Sequence, residues 1–177
     1  MADGSEDTPL LFTDGLPDED ESVGYPAQVA ARVVGITYRQ IDYWARTALV
    51  EPTVRGAAGS GSQRLYGFRD IILLKTVKGL LDLGVQLQQV RKAIEQLRKL
   101  GFNDLSRVTL ISDGASVYLP TSNEEAMDLL LGGQGVFGIA VGPVFREVES
   151  SLTDIDAIKG DDPIDELARR RAQRAAS

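Results

Sequence analysis

Four consecutive residues, Thr37, Tyr38, Arg39 and Gln40, place a hydroxyl, a phenol, a guanidinium and an amide in a row, and Tyr43 follows closely. Such groups recognise an anion or a polar edge. Arg39 can reach a phosphate or a guanine edge, and Tyr43 can donate to a phosphate oxygen. A second pair, Arg64 and Tyr66, offers the same chemistry further along the chain. Nothing comparable supports catalysis. The 177 residues include no histidine and no cysteine, which removes Ser-His triads, thiolate nucleophiles, most zinc sites and disulfides. We therefore expect no catalytic residue, no metal site, no cofactor and no enzymatic activity. Glu124, Glu125 and Asp128 read as a solvated helix face. Gly133-Gln-Gly-Val-Phe-Gly138 has the spacing of a dinucleotide loop but follows a helix and enters a strand, the reverse of what that loop requires.

The polar quartet needs a helix to hold it. Thr37 with Gln40 is a capping box that opens one, and Ile41, Trp44, Ala48 and Leu49 form its apolar stripe. An earlier helix starts at Tyr25-Pro26, carries Val29, Ala30, Val33 and Val34 at helical spacing, and stops at Gly35. Two short helices joined by a tight glycine turn describe a helix-turn-helix. Thr37 also leaves backbone N–H groups at a helix start, where a phosphate can sit. Between Glu51 and Tyr66, short β-prone runs flank the Gly/Ser tip at 57–62, so this segment reads as a hairpin, or wing, carrying Arg64 and Tyr66. Two amphipathic helices follow. One runs from Phe68 to about Leu83 and is broken by Gly84; the other carries Leu87, Val90, Ile94, Leu97 and Leu100 and ends at Gly101.

The remainder changes character. Arg107–Ile111 and Ser116–Leu119 flank Asp113-Gly114, a strong hairpin signal. Ser122 with Glu125 reads as a second capping box, opening a helix over 123–131. Val136–Val141 reads as a buried strand, and Val144, Phe145, Val148 and Leu152 favour a last helix. The expected class is α+β: a winged helix-turn-helix with a helical extension, followed by a small α/β module. The expected divisions are a disordered acidic arm over 1–24, the winged domain over 25–103, the module over 104–153 and a flexible tail over 154–177.

Charge follows these divisions. The net charge of −7 hides eight acids and no base over 1–24, twelve bases against five acids over 25–100, and seven bases against thirteen acids over 101–177. A basic segment between two acidic ones suggests that the middle binds a polyanion. No apolar run approaches the ~20 residues that span a bilayer. No secretory signal is visible, so a cytoplasmic, nucleoid-associated protein without membrane partners is expected.

Residues 25–100 resemble the DNA-binding domain of the MerR family of bacterial transcription regulators. The stretches that carry the resemblance are Gly35–Val50, Arg64-Leu-Tyr66, Phe68-Arg-Asp-Ile-Ile72 and Leu83–Val90, in that order. The resemblance implies contacts to double-stranded promoter DNA from Thr37, Tyr38, Arg39, Gln40, Tyr43, Arg64 and Tyr66. It also implies a homodimer that distorts the duplex and so affects RNA polymerase indirectly. The chain departs from the family pattern at Asp42, where arginine is usual, at Ala45, where an acid is usual, and at Ser62-Gln63. Gly101, Phe102 and Asn103 interrupt the long helix with which family members pair. The cysteines of the family's metal and redox sensors are missing, and the identity of any small-molecule effector is left open.

The leading expectation is a sequence-specific DNA-binding transcriptional regulator that dimerises through residues 104–153. Two other readings share the residues: a winged-helix architectural or recombination accessory protein, and an interaction module that binds the transcription machinery.

Overall fold

A computed structural model describes residues 20–57, 63–101, 107–132 and 137–160. The acidic arm up to residue 19, the wing tip at 58–62, most of the Gly133–Gly138 loop and the chain beyond 160 lie outside the described residues.

The first element among the described residues is strand β1 (Val23–Pro26), which occupies Tyr25-Pro26 where a helix was expected to start. Helix α1 (Ala27–Val34) starts directly afterwards and buries Ala27, Ala30, Ala31 and Val34. Gly35 ends it at φ 81°, a left-handed conformation that costs glycine little. Its N–H and that of Ile36 both reach the Ala31 carbonyl at 2.9 Å. Helix α2 (Tyr38–Arg46) follows after three residues, so the expected helix-turn-helix is present. Its buried stripe is Ile41, Trp44 and Ala45. Ala48 is exposed and not part of that stripe, because α2 has already stopped and Ala48 turns the chain at φ 55°.

The wing is tied down differently from a simple hairpin. Strand β2 (Leu65–Tyr66) pairs antiparallel with β1, matching Tyr25 with Tyr66, and among the described residues meets the outgoing arm in a bridge between Arg55 and Leu65. On its other edge β1 pairs with β6 (Ile158–Lys159), giving the sheet order β2-β1-β6. Residues 158–159, expected within a flexible tail, instead return to the start of the fold. Gly24 sits where these segments crowd together. A Cβ there would lie 3.0 Å from the Tyr66 carbonyl oxygen and 3.1 Å from the Cβ of Val54.

Helix α3 (Phe68–Asp82) is the centre of the molecule. It buries Ile71, Ile72, Leu73, Leu74, Thr76, Val77 and Leu80, covering nearly every side, as a helix packed all round requires. Gly84, at φ 85°, breaks it as expected. Helix α4 (Leu87–Leu97) presents only one apolar face, made of Val90, Ala93, Ile94 and Leu97.

A second antiparallel sheet, ordered β4-β3-β5, combines β3 (Thr109–Ser112), β4 (Val117–Tyr118) and β5 (Phe137–Ala140). The turn at Asp113-Gly114 is where the sequence placed it, with Gly114 at φ 89°. Strand β5 is half-exposed rather than buried, alternating along its length because one face looks outward. Helix α5 (Asn123–Leu131) buries none of its residues. Its cap differs from the expected box. Ser122 accepts from the Glu125 N–H at 3.1 Å, but the Glu125 carboxylate takes the backbone N–H of Thr121 at 2.7 Å. Helix α6 (Val141–Leu152) buries Val141, Phe145, Val148 and Leu152.

The segment expected as a separate module over 104–153 shares the core of the winged part. Helix α6 packs on α3 and α1, β5 on α3, and β4 on α4. Leu110, Val141, Phe145, Val148 and Leu152 join Ile41, Trp44, Ile71 and Leu74 in one apolar cluster. Lys75 crosses the junction, pairing with Glu147 at 2.7 Å. Much of the apolar surface of this segment, through which dimerisation is expected, is thus covered within the chain; among the described residues of the segment, Met127, Leu130 and Leu131 of α5 are the large apolar ones that stay more than half exposed. No helix among the described residues is long and apolar enough to cross a membrane.

Candidate nucleic-acid interface

The outward face of α2 carries most of the residues singled out above. Thr37, Tyr38, Arg39, Gln40 and Tyr43 are all exposed. Tyr38 and Tyr43 are 54% and 51% exposed, so both side chains are open to a partner. Two of the quartet serve the helix itself. The Thr37 N–H donates to Gln40 Oε1 at 2.9 Å, and the Gln40 N–H donates to Thr37 Oγ1 at 3.1 Å. The capping box thus uses the Gln40 carbonyl and leaves its amide NH₂ for other partners. It also fixes the first turn, from which Tyr38 and Arg39 project.

The other end of α2 is gripped by α4. Arg91 donates to the Thr47 carbonyl at 2.8 Å, and Arg98 donates to the Leu49 carbonyl. These carbonyls lie at and just beyond the helix C-terminus, where cations are favoured. The sequence reading missed both arginines. Their spacing of seven, two helical turns on one face of α4, was the available signal.

Asp70 holds the base of the wing. Its Oδ2 accepts from the Thr53 N–H at 2.8 Å, the Thr53 hydroxyl at 2.9 Å and the Gly67 N–H at 2.9 Å. Burial pushes the carboxyl above its ordinary range, against the pull of these donors.

Arg64 leaves this base and reaches α2. Its Nη1 lies 2.6 Å from Asp42 Oδ1, while the other Asp42 oxygen meets Arg46 at 2.5 Å. The Arg64 hydrogen bond is the main reason the Asp42 carboxyl is held below the usual carboxylate range. The i, i+4 pair with Arg46 was legible in the sequence; the link across to the wing was not.

Tyr66 takes a different place from the one expected. It is fully buried beside β1, belonging to the core under the wing rather than to the outward face. Burial pushes its phenol up to about 12, so it stays neutral. Its hydroxyl has no hydrogen-bond partner among the described residues. Two further basic residues are committed to backbone. Arg55 donates to the Gly160 carbonyl at 2.8 and 2.9 Å, and Arg69 donates to the Leu97, Arg98 and Leu100 carbonyls at the end of α4. What faces outward together is Tyr38, Arg39, Gln40, Tyr43 and Arg46, with Arg64 largely sheltered beside them.

A profile of MerR HTH family regulatory proteins matches residues 25–97. The chain is 51% identical, over 98% of its length and 79% of theirs, to uncharacterized HTH-type transcriptional regulators of Mycobacterium tuberculosis and Mycobacterium bovis. It is 30% identical to the HTH-type transcriptional regulator HmrR of Sinorhizobium medicae, over 46% of this chain and 54% of that protein.

Proposed function

Since the chain belongs to the MerR family of helix-turn-helix regulatory proteins, and is a DNA-binding transcription regulator, we propose that it acts as a homodimer on promoter DNA. In this reading α2 enters the major groove. Arg39 contacts a base edge, Tyr38 and Tyr43 donate to phosphates, the capped start of α2 at Thr37 and Gln40 faces the backbone, and Arg64 brings the wing to the adjacent phosphates. Tyr66 supports the wing from beneath. The observation that carries this reading is the outward face of α2: two half-exposed tyrosines and an unburied arginine on a helix clamped at both ends. Two copies are invoked because one short helix reads too few base pairs to single out a promoter. RNA polymerase is affected indirectly, through the bound duplex. A cytoplasmic, nucleoid-associated location and the absence of enzymatic activity follow from the same reading.

Selection of duplexes from a random library on the full chain, followed by footprinting, tests it. The expected result is an enriched pseudo-palindrome protected over both halves, with the protein sedimenting as a dimer at micromolar concentration. Failure to enrich any duplex would overturn the DNA reading. A monomer on and off DNA would overturn the dimer.

A further inference from the structure

Asp42 places a negative charge on the face that must approach a polyanion. Its two oxygens are divided between Arg64, from the wing, and Arg46, from its own helix, at 2.6 and 2.5 Å. The side chains differ in shelter: Arg46 is 66% exposed, Asp42 24% and Arg64 17%. The Arg64 pair is therefore the better screened from solvent, and it joins residues 22 apart in sequence. It is also the side-chain hydrogen bond that ties α2 directly to the wing among the described residues. Within α2 Asp42 meets only the more exposed Arg46, while the helix is capped by Thr37 and Gln40, and Arg91 and Arg98 hold the chain beyond it.

We propose that Asp42 is a specificity-determining positioning residue, which locks Arg64 against the recognition helix and withholds part of its charge from DNA that the helix does not fit. The proposal rests on the functional reading above. Two effects follow from one carboxylate. First, two arginines and one aspartate present a local charge of +1 where two free arginines would present +2, which weakens attraction to any duplex. Second, Arg64 anchored through Nη1 keeps its remaining N–H groups at a fixed place relative to Arg39. A phosphate contact from the wing then forms in register with a base contact from α2, or forms poorly.

The test uses the full chain, the duplex enriched from the random library and a scrambled duplex of equal length. Asp42→Asn keeps the shape and removes the charge. It should bind the scrambled duplex roughly fivefold more tightly at 0.15 M salt, the worth of about one additional phosphate contact, and steepen the salt slope by about one unit. Its preference for the enriched duplex should fall roughly tenfold, the scale of a lost coupling between neighbouring groups. Asp42→Glu, which retains the carboxylate, should restore the wild-type slope. In an Arg64→Ala background, Asp42→Asn should no longer lower the preference.

A role in stability alone would lower the melting temperature and weaken both duplexes alike with no change of slope; that result overturns the proposal. So does an equal loss of preference with and without Arg64. If Asp42→Asn melts below the assay temperature, Asp42→Ser provides the same loss of charge. Absence of any enriched duplex would instead sink the functional reading, and the salt slopes on scrambled DNA would still decide whether Asp42 withholds the charge of Arg64.

Discussion

Phe68 and Phe145 meet edge to face, their ring centroids 5.9 Å apart and their planes at 73°. One opens the helix that follows the wing, and the other lies in the last helix among the described residues, fully buried. This contact makes the C-terminal segment part of the core that supports the DNA-facing half. Phe145→Ala should cost about 3–5 kcal/mol, the usual range for emptying a large buried site. Unfolding should remain a single transition, read identically by Trp44 fluorescence and by circular dichroism. Two separate transitions would show that the halves fold independently.

Arg39 and Arg64 should differ in kind. Arg39→Ala should weaken the enriched duplex by about 1–3 kcal/mol and leave the scrambled duplex nearly unchanged, as expected for a bidentate base contact. Arg64→Ala should weaken both and flatten the salt slope by about one unit. Titrations at several salt concentrations separate the two. Equal losses for Arg39→Ala on both duplexes would make it a phosphate contact.

Asp70 should leave a mark on stability against pH. Its carboxyl is raised by burial, so between its ordinary pKa of 3.8 and the higher folded value the native state holds a proton that the unfolded chain has released. Stability contributed by this group is therefore full below that window and falls as pH rises through it. Asp70→Asn keeps an oxygen for Thr53 and Gly67 while removing the titration. The difference in stability between wild type and Asp70→Asn, followed by chemical denaturation from pH 3 upward, should drift in the mutant's favour. A flat difference would rule the carboxyl out as a source of pH dependence.

Deleting residues 1–19 removes six acids and no base, and spares Val23 and Gly24, which pair with β6. The truncated protein should bind scrambled duplex more tightly at low salt and equally at high salt, since screening erases competition between the arm and phosphate. Equal binding at low salt would reduce the arm to a solubilising segment.

What the sequence displayed, and what it did not, divides by distance along the chain. Gly35, Gly84 and Asp113-Gly114 announce their turns because the constraint lies in the residue itself. Thr37 with Gln40 announces a helix start because both partners fall within one turn. Ser122 and Glu125 mislead by one residue, since Thr121 competes for the same carboxylate. Strands β1 and β6 left no readable signal: they are four and two residues long, and their pairing depends on segments far apart. The site shows the same split. The exposed face of α2 follows from helical periodicity, whereas the burial of Tyr66 and the reach of Arg64 to Asp42 depend on how the wing folds back.

The pairing of β1 with β6 also sets an order of events during synthesis. Arg55, at the base of the wing, holds the carbonyl of a residue 105 positions later. A ribosome making this chain releases the helix-turn-helix long before it releases Ile158 and Lys159, the third strand of the wing's own sheet. Long-range closures of this kind come late in folding, after their loop entropy has been met. We therefore expect a nascent chain stalled before residue 158 to lack a firmly seated wing and to gain full DNA affinity only once that stretch has emerged, which binding assays on stalled chains of increasing length would reveal. On that expectation, a regulator still attached to its ribosome would be kept from occupying promoters until residues 158 and 159 have emerged.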